Sequence, residues 1–130
     1  MKVYLAGRFS RREEFLRYAA ELNANGIEVT SRWITGDHGN DDEEFSDSQL
    51  GAFAQEDLDD VRDADVLVNF TEPPDSNAAR GGRHVEFGYA LGIGTKRIIA
   101  VGFKENIFHR LDGIEFYPSW DEAKVEIKPD

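Results

Sequence analysis

The order of apolar runs and amphipathic stretches predicts an α/β sandwich with a mainly parallel sheet of about five strands flanked by helices. Three observations carry that expectation. Short apolar runs alternate with stretches of helical spacing, the runs are rich in Val and Ile, and glycines or capping residues stand at their junctions. A length of 130 residues fits one domain, 1–130, and 40% hydrophobic content supplies a core, which excludes a globally disordered chain.

The first strand is read at residues 3–6, a Val-Tyr-Leu-Ala run that stops at Gly7. Ser10-Arg11-Arg12-Glu13 fits a capping box, and Phe15, Leu16, Ala19, Ala20 and Leu22 follow on one helical face until Gly26. Residues 27–33 alternate like a second strand, giving a β-α-β opening with a right-handed crossover. Residues 35–48 are polar and read as a long loop. A second helix is expected over residues 48–62, with Leu50, Phe53, Ala54, Leu58 and Val61 on one face. Residues 66–70 suit a central parallel strand, 71–82 form a loop with Pro73, Pro74 and Gly81-Gly82, and a third helix covers 83–92. A fourth strand at 98–101 follows the turn Gly94-Thr95-Lys96. Phe116 and Tyr117 make a weak last strand, and Ser119-Trp120-Asp121-Glu122 caps a terminal helix. In such a sheet ligands sit at the carboxyl ends of strands, which puts residues 7–12, 71–82 and the loop after Val101 on one rim.

Charge narrows the partners. Net charge is -11, and residues 37–63 hold eleven acids against the single base Arg62, so the remainder is nearly balanced. That balance argues against a duplex nucleic-acid binder or an anionic-membrane protein. The basic opening at Arg8, Arg11 and Arg12 still suits a small anion. The absence of cysteine removes disulfides, thiolate zinc sites and cysteine nucleophiles. No apolar run is long enough to span a bilayer and the opening does not read as a signal peptide, so a soluble cytoplasmic protein is the expectation.

Several patterns fail on inspection. The glycines of Gly88-Tyr89-Ala90-Leu91-Gly92-Ile93-Gly94 lie at a helix end rather than in a strand-to-helix turn, so no dinucleotide fingerprint is present. His84-Val85-Glu86 lacks the cysteines of a zinc deaminase. Asp37-His38-Gly39-Asn40-Asp41-Asp42 matches no calcium loop. Neither a metal nor another cofactor is expected.

Gly81-Gly82-Arg83-His84-Val85-Glu86-Phe87-Gly88-Tyr89 is more informative. Two glycines let backbone approach a ligand, and Glu86 falls near the helix start, where exposed amides and the helix dipole are expected to keep it ionised. Such a carboxylate suits attack on an anomeric carbon. An acid there also serves ordinary dipole complementation.

Read together, Lys2-Val3-Tyr4-Leu5-Ala6-Gly7, Gln55-Glu56-Asp57-Leu58 leading into Ala64-Asp65-Val66-Leu67-Val68, and Val85-Glu86-Phe87-Gly88-Tyr89-Ala90-Leu91 with Gly94 and Lys96 resemble the nucleoside 2-deoxyribosyltransferase family, which includes the 2'-deoxynucleoside 5'-phosphate N-hydrolases. The resemblance runs from Met1 to about Leu111 and implies a flavodoxin-like scaffold. It implies Glu86 as the nucleophile of a covalent deoxyribosyl intermediate, resolved by a second base or by water. It implies Asp57 as the acid that contacts substrate and assists protonation, and Tyr4 as the residue that holds the nucleophile. Asn106 looks like the family's amide that reaches into a neighbouring subunit, which implies a homodimer or larger homo-oligomer with shared sites. Asp57 also reads as a surface acid of an amphipathic helix, Tyr4 as a core aromatic and Asn106 as a cap for a short helix at Ile107.

The family's base-reading acid has Arg80 or the sequence around Asp75 and Ser76 in its place, and the first loop, Gly7-Arg8-Phe9-Ser10-Arg11-Arg12, is richer in arginine than in many transferases. An arginine-bearing loop at a helix start suits a phosphate. Gly7, Arg8, Phe9, Ser10, Arg11, Arg12, Arg80, Gly81, Gly82, Arg83 and Asn106 are therefore the candidate substrate-binding residues. The expected substrate is a 2'-deoxynucleoside or its 5'-monophosphate. The alternative is a nucleotide-binding or sensing module that keeps the fold without turnover.

Overall fold

The computed structural model of the chain describes residues 1–36, 45–76, 80–94 and 96–129. The acidic segment 37–44, with the cation pattern considered at Asp37 to Asp42, and Thr95 of the expected turn lie outside the described residues. Five strands, β1 (Lys2–Ala6), β2 (Glu28–Val29), β3 (Val66–Phe70), β4 (Arg97–Val101) and β5 (Ile114–Tyr117), form one sheet in the order β2-β1-β3-β4-β5, every pairing parallel. Helices α1 (Arg12–Ala24), α2 (Asp47–Asp63), α3 (Gly82–Ile93) and α4 (Trp120–Lys124) complete the sandwich.

All carboxyl ends of the strands lie at one edge, and the chain reverses its direction of winding between β1 and β3. The crevice beyond such a reversal is where open α/β sheets place ligands. β3 is buried at all five positions, as a central strand covered on both faces must be.

The second strand is shorter than its alternating sequence predicts. Beyond Thr30, whose N–H still donates to the Val3 carbonyl, the backbone of β1 on this edge is satisfied by side chains instead of a ladder: Leu5 N–H donates to Ser31 Oγ at 2.6 Å, and Trp33 Nε1–H donates to the Leu5 carbonyl at 2.9 Å. The freed segment Arg32–Ile34 turns into a 3₁₀ helix. The Ser10 capping box is also absent. Phe9–Arg11 is itself a 3₁₀ turn leading into α1, whose N-terminus has no side-chain cap. Phe9 packs on Trp33 with ring centroids 6.2 Å apart, while Arg11 is drawn to Glu14 and Glu72, and these contacts fix the entry in place of Ser10. A capping box does open α2, formed by Ser46 and Gln49.

The face of the sheet under α1 and α4 is aromatic. Phe70 lies 4.6 Å from Phe15 and 5.4 Å from Tyr18, and Trp120 stacks on Tyr18 at 4.7 Å between centroids. Gly7 belongs to this packing: a Cβ there would meet the Phe15 ring at 2.3 Å, so the glycine lets β1 approach α1. The opposite face is covered by α2 and α3.

Candidate active site

Tyr4 is fully buried in the middle of β1, and its hydroxyl donates to Glu86 Oε2 on α3. The strand alternation sends Tyr4 to the α2/α3 face, and α3 packs across β1, β3 and β4. Glu86 is the fifth residue of a helix that starts at Gly82, behind an αL cap at Gly81 with φ 80°, a conformation that favours glycine. It therefore sits past the first helical turn and does not cap it.

That position works against the expectation of an ionised carboxylate. Burial pushes the Glu86 carboxyl up to about 8, and the negative charges of Asp57 and Asp60 push the same way, while the Tyr4 hydrogen bond opposes them. Tyr4 is raised well above the ordinary phenol range by burial first and by the charges of Glu86 and Asp57 next. The Glu86 carboxyl is thereby shifted toward its protonated form near neutral pH, and the Tyr4 phenol is held away from ionisation.

Asp57 and Asp60 reach this site from α2, where i and i+3 spacing puts them on neighbouring turns. Asp60 is 5% exposed and locked: it accepts from the Arg32 backbone N–H at 3.1 Å and pairs with the Arg32 guanidinium at 2.8 Å. Asp60 was not among the residues singled out from sequence, because it reads as one more acid of a charged helix. The 3₁₀ turn that delivers Arg32 gives it its partner.

The rim loops are joined by ion pairs. Arg11 donates to Glu72 at 2.8 Å and to Glu14 at 2.7 Å, Arg8 lies 3.8 Å from Glu72, and the Glu72 backbone N–H donates to Glu105 at 3.0 Å. Glu105 in turn pairs with the buried Arg83. Arg11 and Arg83, both candidates for a ligand anion, are thus engaged by protein carboxylates. Arg8 is held more loosely, 3.8 Å from Glu72, and its buried Nε has no hydrogen-bond partner. Arg12 lies over the Phe9 ring at 5.4 Å. Ser10 and Arg80 are exposed at the same rim, and Gly82 has open space where a side chain would project.

Asn106 caps the 3₁₀ helix Ile107–Arg110, its Oδ1 accepting from Phe108 N–H at 2.9 Å. The adjoining Ile107, Phe108 and Leu111 are exposed. A rim cavity of about 350 Å³ opens on the other side of the sheet, lined by Arg11, Glu14, Tyr18, Glu72, Phe103 and Trp120. Tyr4, Asp57 and Glu86 do not line it. Among the described residues no group of three or more His, Asp or Glu side chains could hold a metal, and no helix is long and apolar enough to cross a membrane.

An all-parallel sheet in the order β2-β1-β3-β4-β5 with helices on both faces defines the class of α/β sandwich, and solved structures narrow that class. The chain is similar to a 2-deoxyribosyltransferase from the psychrotolerant bacterium Bacillus psychrosaccharolyticus, with TM-score 0.71 and 20% identity over 100% of this chain and 99% of that one. It is similar to the CMP N-glycosidase BcmB of Clostridium botulinum, with TM-score 0.58 and 21% identity over 97% of each chain. A 2-deoxyribosyltransferase from Leishmania mexicana superposes with TM-score 0.67 and 14% identity over 96% of this chain and 95% of that one. No protein-family model and no curated sequence matches the chain. Its fold is that of the nucleoside 2-deoxyribosyltransferases.

Proposed function

We propose that the protein is a member of the nucleoside 2-deoxyribosyltransferase family that cleaves the N-glycosidic bond of a 2'-deoxynucleoside or its 5'-monophosphate through Glu86. The observation that carries this reading is the hydrogen bond from the fully buried Tyr4 to the half-buried Glu86, with the charge of Asp57 acting on both, on that fold. Glu86 has to lose its proton before it attacks. Asp57, whose charge acts on Glu86, receives that proton and delivers it to the departing base. The carboxylate then captures C1' as the bond to the base breaks, giving a glycosyl ester that a second base or water resolves. Tyr4 holds the carboxylate in place throughout.

Arg8 is the residue proposed to meet a 5'-phosphate, since Arg11 and Arg83 are held by Glu72, Glu14 and Glu105. Asn106 is proposed to complete the site of a second copy, and the exposed Ile107, Phe108 and Leu111 beside it favour self-association. Subunit exchange between Glu86→Ala and Asn106→Ala protomers tests this: regained activity supports sharing, and none despite proven exchange opposes it.

The central test is a base-release assay over nucleosides and 5'-monophosphates, run beside a thermal-shift screen. Release with retention of a 2'-fluoro-2'-deoxyarabinosyl group on the peptide containing Glu86 supports the reading. Ligand-induced stabilisation without release identifies a binding module instead.

A further inference from the structure

Asn69 is the one polar residue of β3, a strand otherwise made of Val66, Leu67, Val68 and Phe70. It is 0% exposed, and neither its Nδ2 nor its Oδ1 has a hydrogen-bond partner. A buried amide with both ends unsatisfied destabilises the unliganded fold. Strand alternation fixes where it points. Phe70 packs into the aromatic face under α1 and α4, so Asn69 emerges on the opposite face, shared with Tyr4. Its register partners are Ala6 on β1 and Ala100 on β4, two small side chains that leave the amide flanked by methyl groups. Ala6 and Asn69 lie at the carboxyl ends of β1 and β3, the two strands between which the winding reverses.

The unmet bonding of an amide is one acceptor and two donors. A phosphate offers only acceptors and would leave the carbonyl unmet, whereas a hydroxyl both donates and accepts. We propose that Asn69 is a substrate-binding residue that hydrogen-bonds a hydroxyl of the sugar whose anomeric carbon Glu86 attacks. This inference rests on the proposed glycosidic activity. It accounts for an amide where an apolar side chain would stabilise the strand, and it gives the site a contact that depends on the sugar and not on the base.

The test pairs a protein change with a substrate change. Base release is measured for a 2'-deoxynucleoside and its 3'-deoxy and 5'-deoxy counterparts, using wild type, Asn69→Leu and Asn69→Ala, with melting temperatures of the unliganded proteins. Asn69→Leu should melt higher than wild type yet lose about 10–100-fold in kcat/KM on the parent substrate. Removing one hydroxyl should cost wild type a similar factor and cost the variants less than about threefold. Wild-type kcat/KM in the variants, or undiminished discrimination among the three substrates, overturns the proposal and leaves Asn69 as the holder of an internal water. Should Asn69→Leu fail to fold, Asn69→Ala carries the same comparison. If wild type releases base from no substrate, the glycosidic reading fails by itself. The same nucleosides then test Asn69 by thermal shift: a hydroxyl-dependent shift lost in the variants supports the contact, and its absence opposes it.

Discussion

The two faces of this sheet are built from alternate residues of the same strands and behave as different materials. Under α1 and α4, Phe15, Tyr18, Phe70 and Trp120 form a closed set of ring contacts. Under α2 and α3, Tyr4, Asn69, Asp60 and Glu86 bring polar and titratable groups into the interior, with Asp57 acting on them. Packing favours the first arrangement in the free protein and penalises the second, because a partly desolvated acid and an unbonded buried amide both oppose folding. Stability is therefore concentrated on one face and the proposed chemistry on the other.

The sharpest break of that contrast is on activity. Glu86→Ala should lower base release by at least about 10³-fold while leaving the fold intact, since no neighbouring group supplies the same bond. Glu86→Gln should come close, because the amide keeps the shape and loses the charge. Near wild-type release from either variant would remove Glu86 from the nucleophile role.

On the aromatic face the large effect is on stability. Phe15→Ala removes a fully buried ring in contact with Phe70, Trp33 and Tyr18 and should cost about 3–5 kcal/mol in denaturant unfolding. A loss below about 1 kcal/mol would show that this face is not the structural one.

The polar face should reveal itself through pH. The folded Glu86 keeps its proton to about pH 8, whereas in the unfolded chain it titrates near 4.5, so unfolding releases a proton between those values. Stability contributed at low pH is therefore lost as pH rises through that window, levelling off above it. Glu86→Gln should flatten this slope and melt above wild type at pH 8 to 9, by up to about 4 kcal/mol. The proton that Glu86 holds is the one Asp57 is proposed to deliver to the base, so kcat/KM should fall as pH rises through about 8, and Tyr4→Phe, which removes the opposing hydrogen bond, should move that fall to higher pH. Identical pH–stability curves for wild type and Glu86→Gln would contradict the assignment.

The smallest expected effect concerns the rim. Arg8→Ala should weaken a 5'-monophosphate relative to its nucleoside by about 1.5–3 kcal/mol and leave the nucleoside nearly unaffected. Equal kcat/KM for the two substrates in wild type would place no phosphate contact there.

Most of the layered architecture was legible in the chain itself. The apolar runs around Val3, Val66 and Ile98 and the helical spacing from Phe15 to Leu22 depend on local periodicity, which a sequence displays directly. Tyr4, Asp57 and Glu86 were marked by the order of their motifs. What the sequence concealed depends on partners distant along the chain. Side chains of Ser31 and Trp33 claim the β1 backbone and cut β2 to two residues. Glu72 and Glu105 engage Arg11 and Arg83, which in isolation read as anion ligands. Glu86 reads as ionised from its nearness to a helix start, yet burial and the charges of Asp57 and Asp60 push its carboxyl up to about 8. Asn69 was visible as a polar residue in an apolar strand, but only the register with Ala6 and Ala100 and the face it shares with Tyr4 give it a place. Periodicity is a local property and survives in one dimension, whereas ionisation and hydrogen bonding are set by what the fold packs around each group.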